Sequence, residues 1–142
     1  MRMFNKILVA VDGSEFSINA AKTAIDLAVK YRAELIAVAV VPISIPGGTV
    51  GEVEELKTEG EKRLGKVLEK VKLEAARCAQ SLKTEILYGH IADSIVKYAF
   101  NSNADLVVVG YKGSSAVKEF LLGSVATKVI HHAHCSVMLV KD

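Results

Sequence analysis

Two hydrophobic patterns alternate along the chain. Short runs of consecutive apolar residues, rich in valine and isoleucine, are typical of strands that are covered on both faces of a sheet. Between them, apolar residues recur three and four positions apart, which indicates amphipathic helices. The runs predict strands over residues 6–11, 35–41, 83–88, 104–109 and 136–140, and the periodic segments predict helices over residues 15–30, 51–79, 91–100 and 124–132. This alternation predicts an α/β fold with a doubly wound, five-stranded parallel sheet and four helices.

The second predicted helix carries a continuous apolar stripe. Its members are Val53, Leu56, Leu64, Val67, Leu68 and Val71. Glutamate and lysine residues fill the opposite face, and their mixed signs are typical of a solvated outer surface. Near the end of the helix, Cys78 is predicted to be a small buried side chain. Gly60-x4-Gly65-Lys66 imitates a phosphate-binding P-loop, but Val67 stands where Ser or Thr should hold magnesium, so we interpret it as a coincidence.

Length and charge limit the classes of protein that this chain can be. With 142 residues and 51% apolar content, it is long enough for one domain, and the even spread of charge predicts a single domain over 1–142. The 18 basic and 16 acidic side chains leave a net charge of +2, without the clustered positive surface that nucleic-acid binding usually requires. No apolar run approaches the roughly 20 residues of a membrane span. We therefore expect neither nucleic acid nor a membrane as a partner.

The two cysteines and the amino terminus favour the reducing cytoplasm. Cys78 and Cys135 stand far apart and form no CxxC pair. Residues 1–6 lead straight into the first predicted strand, without the apolar segment of a secretory signal. Three histidines lie close to Cys135, but no second cysteine pair completes a zinc site, so we predict no metal there.

A spaced glycine pattern follows the fourth predicted strand. Gly110 and Gly113 come directly after the strand, and Gly123 and Ser124 open the last predicted helix. Glycines at these places let the backbone turn sharply and expose N–H donors. Ser124 is predicted to cap the helix, whose positive end would face the same spot. The pattern therefore predicts a site for a phosphorylated ligand.

A carboxylate follows the first predicted strand. Asp12 leads into Gly13 and Ser14, and Ser14 is predicted to cap the first helix. In sheets of this kind, ligands bind beyond the carboxyl ends of the strands, where the winding reverses direction. If the first and fourth strands are neighbours, Asp12 and the glycine loop face each other across that crevice. Asp12 could instead simply order the turn and favour the helix N-terminus by its charge.

Three segments together carry a family resemblance. They are Val9-Ala10-Val11-Asp12-Gly13-Ser14, Gly89-His90-Ile91-Ala92-Asp93-Ser94-Ile95 and Gly110-x2-Gly113-x9-Gly123-Ser124. On these segments, and over essentially its whole length, the chain resembles the universal stress protein family, in its nucleotide-binding branch. The last segment corresponds to the ATP-binding signature of that family and is unbroken here. The resemblance implies a Rossmann-like fold, similar to the adenine nucleotide alpha hydrolases, with strand order 3-2-1-4-5.

The resemblance also implies that ATP lies across the first and fourth strands. The residues implied to bind it are Ala10, Val11, Asp12, Val40, Val109, Gly110, Lys112, Gly113, Ser114, Gly123, Ser124 and Val125. Asp12 and the backbone of Ala10 and Val40 would surround adenosine. Gly110 and Lys112 would adjoin the ribose and the first phosphates, and Gly113 with the start of the last helix would hold the phosphate chain. Without the resemblance, Lys112 would be interpreted as a solvent-facing lysine.

Three functions are compatible with these residues. The favoured one is a nucleotide-responsive binding module of the stress response, in which ATP orders the surrounding loops and changes what the surface recognises. The second is a slow ATPase or autophosphorylating enzyme, with Mg²⁺ bound through the phosphates and Ser114, Ser115 or Ser124 close to the terminal one. The lack of an evident general base argues against it, because Asp12 is expected at the adenosine end. The third is a scaffold of the same fold that binds no nucleotide, against which the intact signature argues.

The final predicted strand offers a surface for self-association. Its residues Val137, Met138, Leu139 and Val140 form a short apolar segment at the expected edge of the sheet. An exposed apolar edge strand invites pairing with its own copy. We therefore predict a homodimer that forms through this strand.

Overall fold

The computed structural model describes residues 3–43, 47–113 and 122–142. Its strands are β1 (Lys6–Ala10), β2 (Glu34–Val41), β3 (Lys83–Tyr88), β4 (Leu106–Gly110) and β5 (Ser136–Val140). Its helices are α1 (Glu15–Tyr31), α2 (Val50–Arg77), α3 (Ile91–Asn101) and α4 (Ser124–His132). Every predicted element is present, and the bounds differ from the prediction by at most two residues.

The five strands form one parallel sheet in the order β3-β2-β1-β4-β5. β1 lies at the centre, where Val9 is level with Ala37 of β2 and with Val108 of β4. The winding reverses between β1 and β4, because the chain moves outward to β3 and then returns to the other side of β1. The predicted doubly wound sheet and its strand order are therefore confirmed.

Helices cover both faces of the sheet. Alternate residues of a strand point to opposite faces, so Ile7 and Val9 pack into the core beneath α1 and α2, whereas Leu8 packs beneath α3 and α4. All three side chains are fully buried. Burial on both faces explains why β1 is an uninterrupted apolar run rather than an alternating one.

The long helix α2 extends past the sheet that it covers. Its buried side chains all lie in its second half and are Leu64, Leu68, Val71 and Ala75. Near the middle of the helix, a Cβ on Gly60 would lie 2.7 Å from Cγ1 of Val41, the last residue of β2. The ten residues before Gly60 therefore project beyond the carboxyl ends of the strands by about 15 Å, at 1.5 Å per residue. This overhang explains why Leu56, a member of the predicted stripe, remains exposed.

The end of α2 corrects one sequence-based prediction. The helix ends at Arg77, and Cys78 takes the C-cap position, where its N–H donates to the carbonyl oxygen of Ala75. Ala79 then adopts the left-handed conformation, with φ of 55°. Because the chain turns away at this cap, Cys78 does not continue the buried stripe, and it is exposed rather than buried.

The helices of the structure bear on two further predictions, which concern a P-loop and a membrane span. The P-loop-like segment from Gly60 to Lys66 is helical throughout, so it forms no phosphate-binding loop. In the described parts of the chain, none of the helices is both long enough and apolar enough to cross a membrane.

Candidate functional site

The loops that follow β1 and β4 meet at the carboxyl edge of the sheet. A Cβ on Gly113 would lie 2.8 Å from Oδ2 of Asp12, so the carboxylate packs directly against the glycine. This meeting follows from the topology, because β1 and β4 are neighbouring parallel strands and both loops leave the same edge. The structure thus brings together the two features that the sequence placed on opposite sides of a crevice.

The start of α1 is closed by its own residues. Ser14 is the N-cap, and its hydroxyl oxygen accepts a hydrogen bond of 3.2 Å from the N–H of Ser17. Oδ1 of Asp12 accepts from the N–H of Ser14 at 2.9 Å, and the Ser17 hydroxyl donates to the carbonyl oxygen of Ser14 at 3.0 Å. The predicted cap at Ser14 is confirmed. Asp12 also orders this turn, as the alternative interpretation of the sequence proposed.

The start of α4 is built differently, and it corrects the predicted cap at Ser124. Gly123 occupies the N-cap position, so Ser124 is already the first helical residue and its side chain is exposed. The carbonyl oxygen of Gly123 accepts from both the N–H and the hydroxyl of Thr127, at 3.0 and 2.9 Å. Among the residues that the structure describes, no side chain caps the N–H groups of Ser124, Val125 and Ala126. These three donors lie at the positive end of the helix dipole.

The glycines of the motif are required for close approach and not for sharp turns. Left-handed φ angles occur at other glycines of the described chain, and Gly123 has φ of −62°. A Cβ on Gly110 would lie 2.8 Å from the backbone carbon of Phe16, at the start of α1. A Cβ on Gly123 would lie 3.2 Å from Cα of Lys112 and 3.3 Å from the carbonyl oxygen of Tyr111. Close packing, without a left-handed backbone, therefore explains why glycine is needed at Gly110 and Gly123.

Two lysines flank one aromatic ring beside the motif. Lys112 is only 6% exposed, which overturns the solvent-facing interpretation, and its Nζ lies 5.8 Å from the centre of the Tyr111 ring. Nζ of Lys141, which directly follows β5, lies 5.6 Å from the same ring centre. Both distances are within the range of cation–π attraction. The sequence did not indicate Lys141, because its proximity to Tyr111 arises only when β5 pairs with β4.

Other predicted residues lie at the ends of the central strands. They are Ala10, Val11, Val40 and Val109. The N–H of Val11 donates to the carbonyl oxygen of Val38 at 2.9 Å, so the pairing of β1 with β2 continues one residue past the end of β1. The valine side chains in this set are buried, and Ala10 is half-buried. Ser114 and Ser115 lie outside the described residues.

Arg63 is a neighbour of the site that sequence reasoning missed. It lies on α2, and its Nη1 donates to the carbonyl oxygen of Asp12 at 3.3 Å. One turn further along, Cγ2 of Val67 would lie 3.1 Å from a Cβ on Gly13. An arginine on a charged helix face gives no signal of this contact, because it depends on how α2 is placed against the β1 loop.

A groove of about 970 Å³ lies at the opposite, amino edge of the sheet. Its lining includes Arg32, Ala79 and Asn103, which follow the ends of α1, α2 and α3. Helix carboxyl ends carry partial negative charge, so this edge is unfavourable for a phosphate. Of the described residues in the predicted site, none lines this groove. The carboxyl edge is therefore the candidate site for an anionic ligand.

Known proteins resemble this chain in both sequence and fold. The universal stress protein MJ0531 of Methanocaldococcus jannaschii is 40% identical over 145 residues, which cover 98% of this chain and 83% of that protein. The structure of UspA from Lactobacillus plantarum superimposes with a TM-score of 0.86 at 29% identity, and covers 97% of this chain and 98% of UspA. A universal stress protein in complex with cAMP superimposes with a TM-score of 0.77 at 27% identity, over 97% of each chain.

The family assignment rests on nearly the full length of the sequence. The sequence model of the universal stress protein family matches residues 3–141, which include the Asp12 loop and the whole glycine motif. The structures of UspA and of the cAMP complex share the α/β fold of this chain. The chain belongs to the universal stress protein family.

Proposed function

We propose that this chain is an ATP-binding regulatory module of the stress response in the cytoplasm, in which the bound nucleotide changes what the surface recognises. The nucleotide lies across the carboxyl ends of β1 and β4, with its phosphates at the start of α4. The bound nucleotide contacts both the loop after β4 and the first turn of α4. The bound and free forms of the protein therefore present different surfaces to a partner.

The uncapped start of α4 is the observation that carries this proposal. The N–H groups of Ser124, Val125 and Ala126 meet no side-chain cap among the described residues, and the helix dipole adds positive potential there. Gly113 lies beside them, since its backbone nitrogen is 3.7 Å from a Cβ placed on Gly123. Lys112 and Lys141 add positive charge around Tyr111.

The neighbouring strand ends suit the nucleoside part of the ligand. The carboxylate of Asp12 is an acceptor for ribose hydroxyl groups, and its Oδ2 faces Gly113, where the ribose would meet the phosphates. The ends of β1 and β2 at Ala10 and Val40 offer apolar surface and backbone groups for the base, the combination typical of small-ligand sites.

A relative supports an adenine nucleotide as the ligand. One structural neighbour at 27% identity was solved with cAMP, which contains adenine, ribose and one phosphate. ATP contains the same groups and two further phosphates. The first N–H groups of α4, which no described side chain caps, and the nearby lysines are donors for these additional charges.

Calorimetric titration with ATP, ADP, AMP and GTP tests the proposal. We expect saturable heat with the adenine nucleotides, and the tightest binding with ATP because it reaches the most donors. No measurable heat with any of the four would contradict the proposal. The order ATP, ADP, AMP in affinity would identify the phosphates as the main source of binding energy.

Slow hydrolysis of ATP is a second candidate function, and the position of Asp12 favours it. The sequence places this carboxylate at the adenosine end, and its Oδ2 packs against Gly113, where the ribose would meet the phosphates. From that position it can hold Mg²⁺ on the phosphates or accept a proton from water. Release of phosphate from labelled ATP, abolished in Asp12→Asn and Gly123→Val, would support hydrolysis. Release that persists in both variants would exclude this site as its source.

We extend the proposal to a homodimer that forms through β5. Among the described strands, β5 pairs with β4 alone and lies at the edge of the sheet. Its residues Val137, Met138 and Leu139 are half-buried, so the edge presents apolar surface beside unpaired backbone. Such an edge pairs readily with its own copy. We expect a dimeric mass by light scattering, and a monomeric mass at high protein concentration would contradict this assembly.

A further inference from the structure

We infer that the outer face of α2 binds the same face of a second copy of this chain, with the two helices antiparallel. This face points away from the core, because the buried side chains of α2 lie on the opposite side. Leu73 is on the outer face and is 62% exposed, although it is a large apolar residue. The surface around it forms a shallow depression lined by Glu61, Lys62, Gly65, Lys66, Glu69, Lys70 and Leu73.

The charges of α2 are distributed unequally between its two halves. Val50–Gly65 contains five glutamates against three basic residues, whereas residues 66–77 contain two glutamates against four basic residues. The first half of the helix therefore carries a net charge of −2, and the second half carries a net charge of +2. Two such helices attract each other when they run antiparallel and repel when they run parallel. The charge pattern thus selects a second copy of the same helix as the partner.

One register places several charged residues of the outer face level with residues of opposite charge on the partner. The two-fold axis of this register passes between Gly65 and Lys66. Each residue then lies level with one residue of the partner, and the numbers of the two residues add up to 131. The charged pairs that this produces toward the partner are Glu54 with Arg77, Glu59 with Lys72 and Lys62 with Glu69, whereas Lys57 and Glu61 contact Tyr88 of their own chain. No two charges of the same sign are level with each other, which is the self-complementarity that a two-fold interface requires.

The most direct contact in this register is between Lys62 and Glu69. They are seven residues apart, so both side chains point to the same side of α2 within about 20° and face the partner together. Each therefore meets the other on the opposite chain, and the contact occurs twice, with Glu69 shared with Lys72 of its own helix at 3.5 Å. Lys66 is the exception, because it lies next to the axis near its own copy. Exposed ion pairs contribute little each, so the association is weak and sensitive to salt.

The axis coincides with the place where α2 allows the closest approach. A Cβ on Gly65 would meet nothing within 4 Å, so this position is an open notch in the helix surface. A glycine at the crossing point lets two helices approach until their neighbouring side chains touch. The exposed Leu73 is level with Thr58 of a partner in this register, where it can cover the stem of a neighbouring long side chain.

This contact is independent of the proposed dimer through β5. α2 packs on β2 and β3, whereas β5 is at the other edge of the sheet. One protomer can therefore use both surfaces at the same time. A test of the α2 contact must compare variants with the wild-type chain and not rely on the absolute number of subunits.

Two single charge reversals and their mixture test the α2 contact. Lys62→Glu places two glutamates together, and Glu69→Lys places two lysines together, so each variant alone should associate about tenfold more weakly than the wild-type chain. An equal mixture restores opposite charges in both contacts of a mixed pair. Sedimentation velocity at low ionic strength should give a smaller mean mass for each variant and the wild-type mass for the mixture. Equal masses in all samples, or a mixture that stays small, would overturn the inference.

The controls separate this contact from a general charge effect. Lys62, Glu69 and Lys97 are all exposed, and Lys97→Glu makes the same change of charge on α3. This control should keep the wild-type mass. Glu61 is left unchanged because its carboxylate accepts a hydrogen bond of 2.7 Å from the Tyr88 hydroxyl.

The wild-type chain offers a test that needs no variant. Raising the ionic strength from about 0.01 M to about 1 M shortens the Debye length from about 30 Å to about 3 Å. The mean mass of the wild-type chain should fall over this range, and the masses of the two variants should change less. A wild-type mass that does not depend on salt would also overturn the inference.

Discussion

The helices α1 and α4 both begin at the carboxyl edge of the sheet and both have a serine near their start, but among the described residues a serine hydroxyl caps α1 alone. Ser14 precedes the first helical residue of α1, and its hydroxyl accepts from the N–H of Ser17. In α4 the corresponding position belongs to Gly123, and Ser124 comes one residue later. At that place a hydroxyl no longer caps the first turn. A shift of one residue thus separates a self-capped helix from one with donors available to a ligand.

The difference lies in the capping of the two helix starts and not in the helix dipole. Both helices have the same polarity and both point their positive ends toward the same edge. A phosphate gains most where N–H groups have no acceptor already, because no existing hydrogen bond is lost when it binds. At the start of α1 the N–H of Ser14 binds Asp12 and the N–H of Ser17 binds the Ser14 hydroxyl, whereas we propose that the first N–H groups of α4 bind the nucleotide.

Gly123→Val should have the largest effect on the open helix start. A valine Cβ would begin 3.2 Å from Cα of Lys112, and its two methyl groups would push the β4 loop away from α4. We expect the affinity for ATP to fall by about 100-fold or more, measured by calorimetry. Gly65→Val is the matched control, because a Cβ there meets nothing within 4 Å. Comparable losses in both variants would mean that the effect is not local.

Gly113→Ala should have a smaller effect, because it moves a side chain rather than the backbone. The new methyl group would lie 2.8 Å from Oδ2 of Asp12, so the carboxylate must shift. We expect about a tenfold loss of ATP affinity. In an Asp12→Ala background the same substitution should lower the affinity for ATP only slightly, because the clash with the carboxylate is gone. Additive losses in the double variant would show that the two residues do not act together.

Asp12→Asn tests the link between the two helix starts. The amide oxygen can still accept from the N–H of Ser14, so the turn should persist, but the charge facing Gly113 is removed. We expect a few-fold loss of affinity for ATP and a smaller loss for 2′,3′-dideoxy-ATP, which lacks the ribose hydroxyl groups. Equal losses for both nucleotides would argue against a contact between Asp12 and ribose.

Ser14→Ala and Ser124→Ala compare the two serines directly, with the smallest expected effects on binding. Loss of the Ser14 cap should lower the free energy of unfolding by about 1 kcal/mol and leave ATP affinity nearly unchanged. Ser124 caps nothing among the described residues, so its substitution should change stability by less than about 0.5 kcal/mol. Urea denaturation measures both values. Equal destabilisation by the two substitutions would show that Ser124 caps α4 after all.

The fold was predictable because its signals are local and repeated. Each strand is an apolar run that is buried on both faces, as Ile7, Leu8 and Val9 illustrate, and each helix has a periodic stripe. The overhang of α2 was not predictable, because the stripe continues through Leu56 although the sheet ends near Gly60. Periodicity reports which side of a helix is apolar, but it carries no information about where the neighbouring sheet stops.

The candidate site was predictable in its position and less so in its physical causes. The spacing of the glycines indicated a loop opposite Asp12, and the two do meet. The sequence did not indicate why glycine is needed at these positions, because the close approach to Phe16 and to Lys112 depends on packing between segments distant in sequence. The burial of Lys112 and the proximity of Lys141 to Tyr111 were missed for the same reason.

Amide chemical shifts measured during an ATP titration report on each N–H group at the two helix starts separately. We expect large, saturable changes for the N–H groups of Ser124, Val125 and Ala126, and small changes for Ser17, whose N–H is already bonded to the Ser14 hydroxyl. Gly123→Val should remove the changes at α4. Large changes at the start of α1 with none at the start of α4 would show that the nucleotide does not bind at α4.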